Sequence, residues 1–288
     1  MSRAARTAFV FAGGGVLGAV EVGMLRALLE TAHVPDLVVG ASAGAINAAY
    51  FALDPTLEGI QQLGMLWTQC STRTAFPFST YRIARALLGI ESSLVSPIAL
   101  RRLLERHFGD RNVADAVVPC HIVAADALTG MPVTPSHGRI VDAVLASAAI
   151  PMVFPAVPTL DGLLIDGGVA SNTPIEVARI LGAERIVVLP TGFTCTLRDP
   201  PRHPISSLLH TWSLMIARQL ADETRRLTRD TVVRIVPPLC PLPVRAYDFS
   251  QSATLIAQAY EQTLQWLHNG GLDTAPDVRR LLPHSHAG

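Results

Sequence analysis

The sequence has no excess of charge of either sign. Lys plus Arg and Asp plus Glu number 23 each, and charged residues make up only 16% of the chain. A basic surface for nucleic acid and a polyanionic surface are therefore both excluded as the basis of its function. Because 49% of the residues are hydrophobic, the composition is that of a globular protein and not of a disordered one.

Cysteine is scarce, and its spacing forms no known motif. Cys70, Cys120, Cys195 and Cys240 contain no CxxC pair and have no histidine beside them at metal-ligand spacing. We therefore expect reduced thiols in a cytoplasmic chain, with neither a metal nor a cofactor.

Long hydrophobic runs are also missing. No stretch reaches the ~18 uninterrupted apolar residues that a membrane span needs. Three glycines interrupt the first apolar run after a few residues, so we interpret that run as a strand and not as a signal peptide. Any membrane contact is expected to be peripheral.

The chain does contain a regular alternation of short apolar runs with helical patterns. Alternation of this kind predicts an α/β fold with a mostly parallel central sheet flanked by helices. We treat residues 7–267 as a single domain with a cap or lid at 68–98. Residues 268–288 are assigned to a tail, which we expect to fray after Gly270. The predicted strands lie at Thr7–Phe11, Leu37–Val39, 121–125, 185–190 and 231–236.

A glycine-rich loop, Gly13 to Gly18, follows the first strand and contains G-x-G-x-x-G. A dinucleotide site would also need an acid at the end of the second strand, but that strand ends in "VVGAS". The loop could instead turn its backbone N–H groups toward an anion, as an oxyanion hole requires. A tight turn selected for packing alone is the third interpretation.

The second strand leads into Gly40-Ala41-Ser42-Ala43-Gly44, the G-x-S-x-G pattern of a nucleophile elbow. Serine is also a favoured helix N-cap, and the motif alone does not decide between the two roles. None of the nine histidines lies in a context that marks it as a general base. If Ser42 is a nucleophile, a group other than histidine should activate it.

Two Asp-Gly pairs follow later in the chain, and their settings differ. Asp161-Gly162 lies between two apolar runs and predicts a hairpin turn. Asp166 ends an apolar run and precedes Gly167 and Gly168, so it is either a carboxylate at a strand end or a second turn. A free aspartate with a pKa of ~3.9 is poorly matched to a serine hydroxyl. Burial would raise that pKa.

Taken in order, these three motifs resemble the patatin-like phospholipase family, and segments 144–157, 166–189 and 247–260 extend the resemblance over residues 7 to about 267. The resemblance implies a three-layer α/β/α fold and a lipid acyl hydrolase of the phospholipase A, lysophospholipase or carboxylesterase type, without a cofactor. It makes Ser42 the nucleophile and Asp166 the base. Backbone N–H groups of Gly13, Gly14 and Gly15 would form the oxyanion hole, chiefly those of Gly14 and Gly15. Gly18, Gly40, Gly44, Gly167 and Gly168 would support the motifs.

One position departs from the family pattern. The family commonly carries Arg or Lys just before the last glycine of the loop, where this chain has Leu17. This change predicts a weaker grip on phosphate head groups, a preference for neutral or short-chain esters, or only a different brace for the loop. Two alternatives stay open: a nucleotide-binding oxidoreductase that uses the G-x-G-x-x-G loop, and a non-catalytic, lipid-binding relative.

Overall fold

The fold is built on one sheet. The computed structural model describes residues 5–277 apart from 72–74, 76, 78, 136, 193–194, 196–198, 203, 227–230 and 243–247, together with 281–282 and 284. Within these residues the sheet has eight strands: β1 (Thr7–Phe11), β2 (Leu37–Ala41), β3 (Cys120–Asp126), β4 (Pro132–Val133), β5 (Val157–Thr159), β6 (Gly162–Ile165), β7 (Arg185–Leu189) and β8 (Val232–Ile235).

The strand order is β5-β6-β3-β2-β1-β7-β8, with β4 also paired to β3. The four pairings along β3-β2-β1-β7-β8 are parallel. The remaining three pairings, β4 with β3, β6 with β3 and β5 with β6, are antiparallel. The predicted, mostly parallel sheet is therefore confirmed. Parallel strands end at the same edge, so the segments that follow β1, β2 and β7 are neighbours there.

Helices cover the sheet. In the described part of the chain they are α1 (Gly18–Glu30), α2 (Ala43–Leu53), α3 (Leu57–Gln69), α4 (Thr80–Leu87), α5 (Ile98–Phe108), α6 (Ile140–Ser147), α7 (Gly168–Ser171), α8 (Ile175–Ile180), α9 (Pro204–Arg226) and α10 (Ser252–His268). A 3-10 turn at Gly15–Leu17 leads into α1. None of the described helices is both long and apolar enough to cross a membrane.

The two faces of the sheet bury different helices because side chains alternate along a strand. Phe9 and Phe11 of β1 pack in a large cluster that includes residues of α1, α2 and α3. Ala8 and Val10 point the other way, into a cluster with Ile175 of α8. The result is the three-layer α/β/α arrangement that the resemblance implied.

Two segments proposed from the sequence lie partly outside the described residues. Part of the proposed lid at 68–98 lies outside the described residues, and the described part includes α4. The tail at 268–288 also lies partly outside them, yet Leu281 is only 6% exposed and joins the second apolar cluster. The tail therefore packs at this position, because the apolar side chain of Leu281 is buried in the core.

Candidate active site

Ser42 occupies a tight turn between β2 and α2. Its φ of +53° is a conformation that non-glycine residues seldom adopt, and such backbone strain costs on the order of 1–3 kcal/mol. The turn also depends on small neighbours. A Cβ at Gly40 would collide with the carbonyl of Gly44, and one at Gly44 would collide with the backbone of Phe11. This is the strained strand-to-helix turn that the G-x-S-x-G motif predicts.

The Ser42 hydroxyl does not cap the helix that follows it. It makes no side-chain bond to the first turn of α2, and its Oγ donates a hydrogen bond of 2.7 Å to Oδ2 of Asp166. Both side chains are buried, Asp166 at 1% exposure and Ser42 at 7%. The helix-cap interpretation is therefore wrong for the side chain.

The environment of Asp166 changes its acidity. Burial raises the pKa of Asp166 from 3.8 to about 6, although the hydrogen bonds from Ser42 and from the Gly168 N–H oppose this rise. The Gly168 N–H donates to Oδ1 at 2.7 Å. Asp166 thus ends up with one oxygen held by the backbone and the other facing Ser42.

The antiparallel strand β6 explains how Asp166 reaches Ser42. Ile165 pairs with Ala125 of β3, so the chain leaves β6 and runs back along β3 toward the end of β2. Gly167 lies so close to the carbonyl of Val123 that a Cβ there would collide with it. Leu160 and Asp161 form the turn of the hairpin between β5 and β6, and Gly162 is the first residue of β6, so the hairpin lies where the Asp161-Gly162 pair predicts it.

Ser147 fixes the backbone of the elbow. Its Oγ donates to the carbonyl of Val123 at 2.5 Å and accepts a bond of 2.8 Å from the N–H of Ser42. Ser147 lies in a helical pattern that the sequence marks only as apolar, so sequence reasoning missed it.

The glycine loop approaches Ser42 from the end of β1. A Cβ at Gly13 would lie 3.0 Å from Cβ of Ser42. The Gly13 N–H donates to the carbonyl of Asn172, so it is already engaged. Among the described residues, no hydrogen-bond partner is found for the N–H of Gly14 or of Gly15, and Gly15 has a φ of +59° that suits glycine. Of the three glycines, only these two offer N–H groups to a ligand.

Two residues that sequence reasoning missed hold the loop in place. The carbonyl of Gly13 accepts bonds from Nδ2 of Asn172 at 2.9 Å and from Oγ1 of Thr191 at 2.8 Å. Asn172 lies just after α7 and Thr191 just after β7. Both belong to segments that meet the loop only in the folded chain, and no local pattern singles them out.

The buried carboxyl group of Glu21 supports the loop through the backbone of Ala12. Glu21 is fully buried, and its Oε1 accepts the N–H of Ala12 at 2.6 Å. Its Oε2 accepts Nδ2 of Asn47 at 2.7 Å, and Asn47 Oδ1 accepts Nε1 of Trp67 at 2.8 Å. Burial raises the pKa of Glu21 well above its usual value. In the sequence, Glu21 is marked only as a single acidic residue within the apolar run 19–25.

An apolar pocket opens beside Ser42. Its described lining has no charged side chain and includes Ile46, Leu66, Trp67, Leu100, Phe154 and Phe249. Leu17 is not part of this lining, since it is 1% exposed and packs in the large apolar cluster. The burial of Leu17 supports the interpretation that it braces the loop.

The elbow glycines give a prediction about stability. We expect Gly44→Ala to lower the free energy of unfolding by about 3 kcal/mol, because the new Cβ meets backbone atoms of Phe11 that cannot move aside. Gly64→Ala, also within a helix, is the matched control. Its Cβ would find only ordinary contacts at 3.8 Å and 3.9 Å, so it should stabilise by about 1 kcal/mol. Urea unfolding of both variants tests this, and equal effects would contradict it.

The chain thus combines a layered α/β fold with a strained turn at Ser42, a buried Asp166 and a glycine loop. A family model described as patatin-like phospholipase matches residues 9–179. The chain belongs to this family.

Several proteins are similar to this chain over part of their length. Human patatin-like phospholipase domain-containing protein 6 is 28% identical over 189 residues, which cover 64% of this chain and 13% of that protein. An uncharacterised NTE family protein of Mycobacterium bovis is 31% identical over 168 residues, 58% of this chain and 27% of that protein. The chain therefore spans only a small part of these relatives.

Among solved structures, human GIVD cytosolic phospholipase A2 in complex with methyl gamma-linolenyl fluorophosphonate is 13% identical. The match has a TM-score of 0.45 and covers 98% of this chain and 61% of that one.

Proposed function

We propose that this chain is a lipid acyl hydrolase in which Ser42 and Asp166 act as a catalytic dyad. The observation that carries the proposal is the 2.7 Å bond from Ser42 Oγ to Asp166 Oδ2 inside a buried elbow. The distance lies within reach for direct proton transfer from a nucleophile to its base. No histidine is needed between them.

In the first half of the reaction, Ser42 Oγ attacks the carbonyl carbon of the ester while its proton moves to Asp166. The negative charge that develops on the carbonyl oxygen is stabilised by the N–H groups of Gly14 and Gly15. Each such donor contributes on the order of 3 kcal/mol of transition-state stabilisation. The carbon–oxygen bond to the leaving alcohol then breaks, Asp166 returns the proton to that alcohol, and Ser42 is left acylated.

In the second half, water replaces the alcohol. Asp166 accepts a proton from water as the water oxygen attacks the acyl carbon, and the same N–H groups stabilise the oxyanion. The acyl–Oγ bond breaks, the fatty acid leaves and Ser42 regains its proton. The elevated pKa of Asp166, about 6, brings the base closer to the acidity that efficient proton transfer at neutral pH requires.

The substrate class is proposed from the pocket. Its uncharged, apolar lining suits a fatty acyl chain. Ala75 of the proposed lid, residues 68–98, forms part of this lining.

The lid is also where we propose peripheral contact with a lipid surface. Tyr81, Leu88 and Ile90 are 70%, 75% and 57% exposed. Apolar side chains of this kind can insert into a membrane interface without spanning it.

Turnover of defined lipids by the purified full chain tests the proposed function. We expect release of fatty acid from neutral esters, measured by mass spectrometry, and loss of that release in Ser42→Ala. A matched panel of neutral glycerides and phospholipids of equal chain length tests the effect of Leu17. A strong phospholipid preference would contradict the ideas of weak phosphate binding and neutral-ester preference. Only the interpretation that Leu17 braces the glycine loop would then remain.

The pKa of Asp166 predicts a pH dependence. Since the base must be ionised, kcat/KM should rise with pH, level off above about 6, and fall about tenfold for each pH unit below that value. Initial rates on a soluble, non-ionising ester from pH 4.5 to 8.5 measure this profile. A flat profile across pH 6, with the fold intact, would exclude Asp166 as the base.

A further inference from the structure

Three side chains that bind soft metals meet beside the outer strands of the sheet. Cys195 follows β7, Cys240 follows β8 and His284 lies in the C-terminal segment. One ligand atom from each residue lies within 4.8 Å of the others, and Cys240 Sγ is 3.1 Å from His284 Nε2. The mechanism proposed above uses none of these residues.

We propose that Cys195, Cys240 and His284 bind one soft divalent cation of the Zn²⁺ class. Two thiolates and one imidazole are a donor set that Zn²⁺ prefers, with a fourth position left for water or another ligand. Each thiol releases its proton to solvent as the sulfur–metal bond forms. Tetrahedral bonds of about 2.0–2.3 Å place ligand atoms ~3.5–3.8 Å apart, so closure requires movements of about 1 Å.

Hydrogen bonds around the three residues already favour ligation. His284 Nδ1 lies 2.9 Å from the carbonyl of Leu282, which assigns the proton to Nδ1 and turns the lone pair of Nε2 toward Cys240. Metal-bound histidines commonly hold their second nitrogen in this way. The Leu242 N–H donates to Cys195 Sγ at 3.2 Å, a contact that stabilises a thiolate.

The cluster is accessible to an ion from solvent. Cys240 and His284 are exposed and line a groove of about 640 Å³ together with Gln262 and Trp266. Cys195 is itself buried, at 3% exposure, so an ion would enter the cluster past Cys240 and His284.

A metal bound here would hold the C-terminal segment close to the residues that position the glycine loop. Leu281, three residues before His284, lines a small cavity with Ala12, Asn172 and Thr191. Asn172 and Thr191 are the residues that hold Gly13. The sequence expectation of no metal rested on local spacing, but 44 residues separate Cys240 from His284, so no local motif could form.

Titration of the reduced, chelator-treated full chain with Co²⁺ tests the site. We expect one ion per chain, a sulfur-to-cobalt charge-transfer band, the visible bands of tetrahedral cobalt and displacement by Zn²⁺. Cys240→Ser should lose the charge-transfer intensity of one thiolate. His284→Gln should weaken binding by at least the ~10- to 100-fold that loss of an outer partner costs. The melting temperature should rise with added Zn²⁺ in the wild type and much less in either variant.

Cys120→Ala is the matched control, and its cobalt spectrum should equal that of the wild type. Three results would overturn the proposal: no charge-transfer band in a folded wild type, a band that Cys240→Ser leaves unchanged, or a Cys195–Cys240 disulfide in reductant-treated protein, found by peptide mapping. Because Cys240 and His284 are both exposed, their variants should fold, which keeps these outcomes interpretable.

Discussion

Ser42→Ala is expected to abolish ester hydrolysis while the protein stays folded. The variant loses the only side-chain oxygen that can attack the ester from the elbow, and removing such a nucleophile lowers kcat by roughly 10⁴- to 10⁶-fold. Ser42 Oγ is also the donor to Asp166 Oδ2. The variant should therefore raise the pKa of Asp166 further, because a hydrogen bond that opposed the effect of burial is gone.

The measurement is turnover together with urea unfolding. Ser92→Ala, at an exposed serine, is the control and should match the wild type in both. Ser42→Gly should be as inactive as Ser42→Ala but more stable by about 1–3 kcal/mol, since glycine adopts the φ of +53° without strain. Substantial turnover by either variant at position 42 would exclude Ser42 as the nucleophile.

Asp166→Asn is expected to lower activity and raise stability at the same time. The amide cannot accept the proton of Ser42, so kcat should fall by roughly 10³-fold or more. Stability changes in the other direction. Because burial raises the pKa from 3.8 to about 6, ionising this group in the fold costs about 3 kcal/mol at neutral pH.

The pH dependence gives the sign of that stability change. A group with a raised folded pKa contributes its stability below the unfolded pKa and loses it as pH rises through the folded value. The Asp166 contribution should thus be lost progressively between about pH 4 and pH 6. Asp166→Asn should therefore gain stability relative to the wild type across that range and reach its full advantage above pH 6. Its Oδ1 can still accept the Gly168 N–H.

Unfolding at pH 4 and pH 8 checks this, beside turnover. Asp161→Asn is the matched control, because Asp161 is exposed in a hairpin turn; it should leave activity and stability unchanged. A Ser42→Ala, Asp166→Asn double variant should be no less active than Ser42→Ala alone, since the two residues act as a unit. Retained activity in Asp166→Asn, or lower stability at pH 8, would contradict the account.

Local patterns predict the strands and the residues of the candidate site. The alternation of apolar runs predicts the parallel strands, and the motifs around Gly13, Ser42 and Asp166 predict groups at strand ends. In the fold Ser42 and Asp166 do meet. The family resemblance also implied Gly13 as an oxyanion donor, but its N–H donates to the carbonyl of Asn172, a partner 159 residues away in the chain.

Other features depend on contacts that no local pattern encodes. The antiparallel β6, which carries Asp166 back to β2, follows from a pairing of Ile165 with Ala125. Thr191 reaches the glycine loop across 178 residues, and Ser147 reaches Ser42 across 105. Such partners are chosen by tertiary packing, and their residue types are common in loops and helices.

The most direct test of the central claim is labelling with a fluorophosphonate, which reacts only with an activated nucleophile. The account predicts one adduct on the folded full chain, located at Ser42 by peptide mass spectrometry, absent in Ser42→Ala and much reduced in Asp166→Asn. No adduct on the folded protein, or an adduct at another residue, would contradict it and would leave lipid binding without catalysis as the function to test.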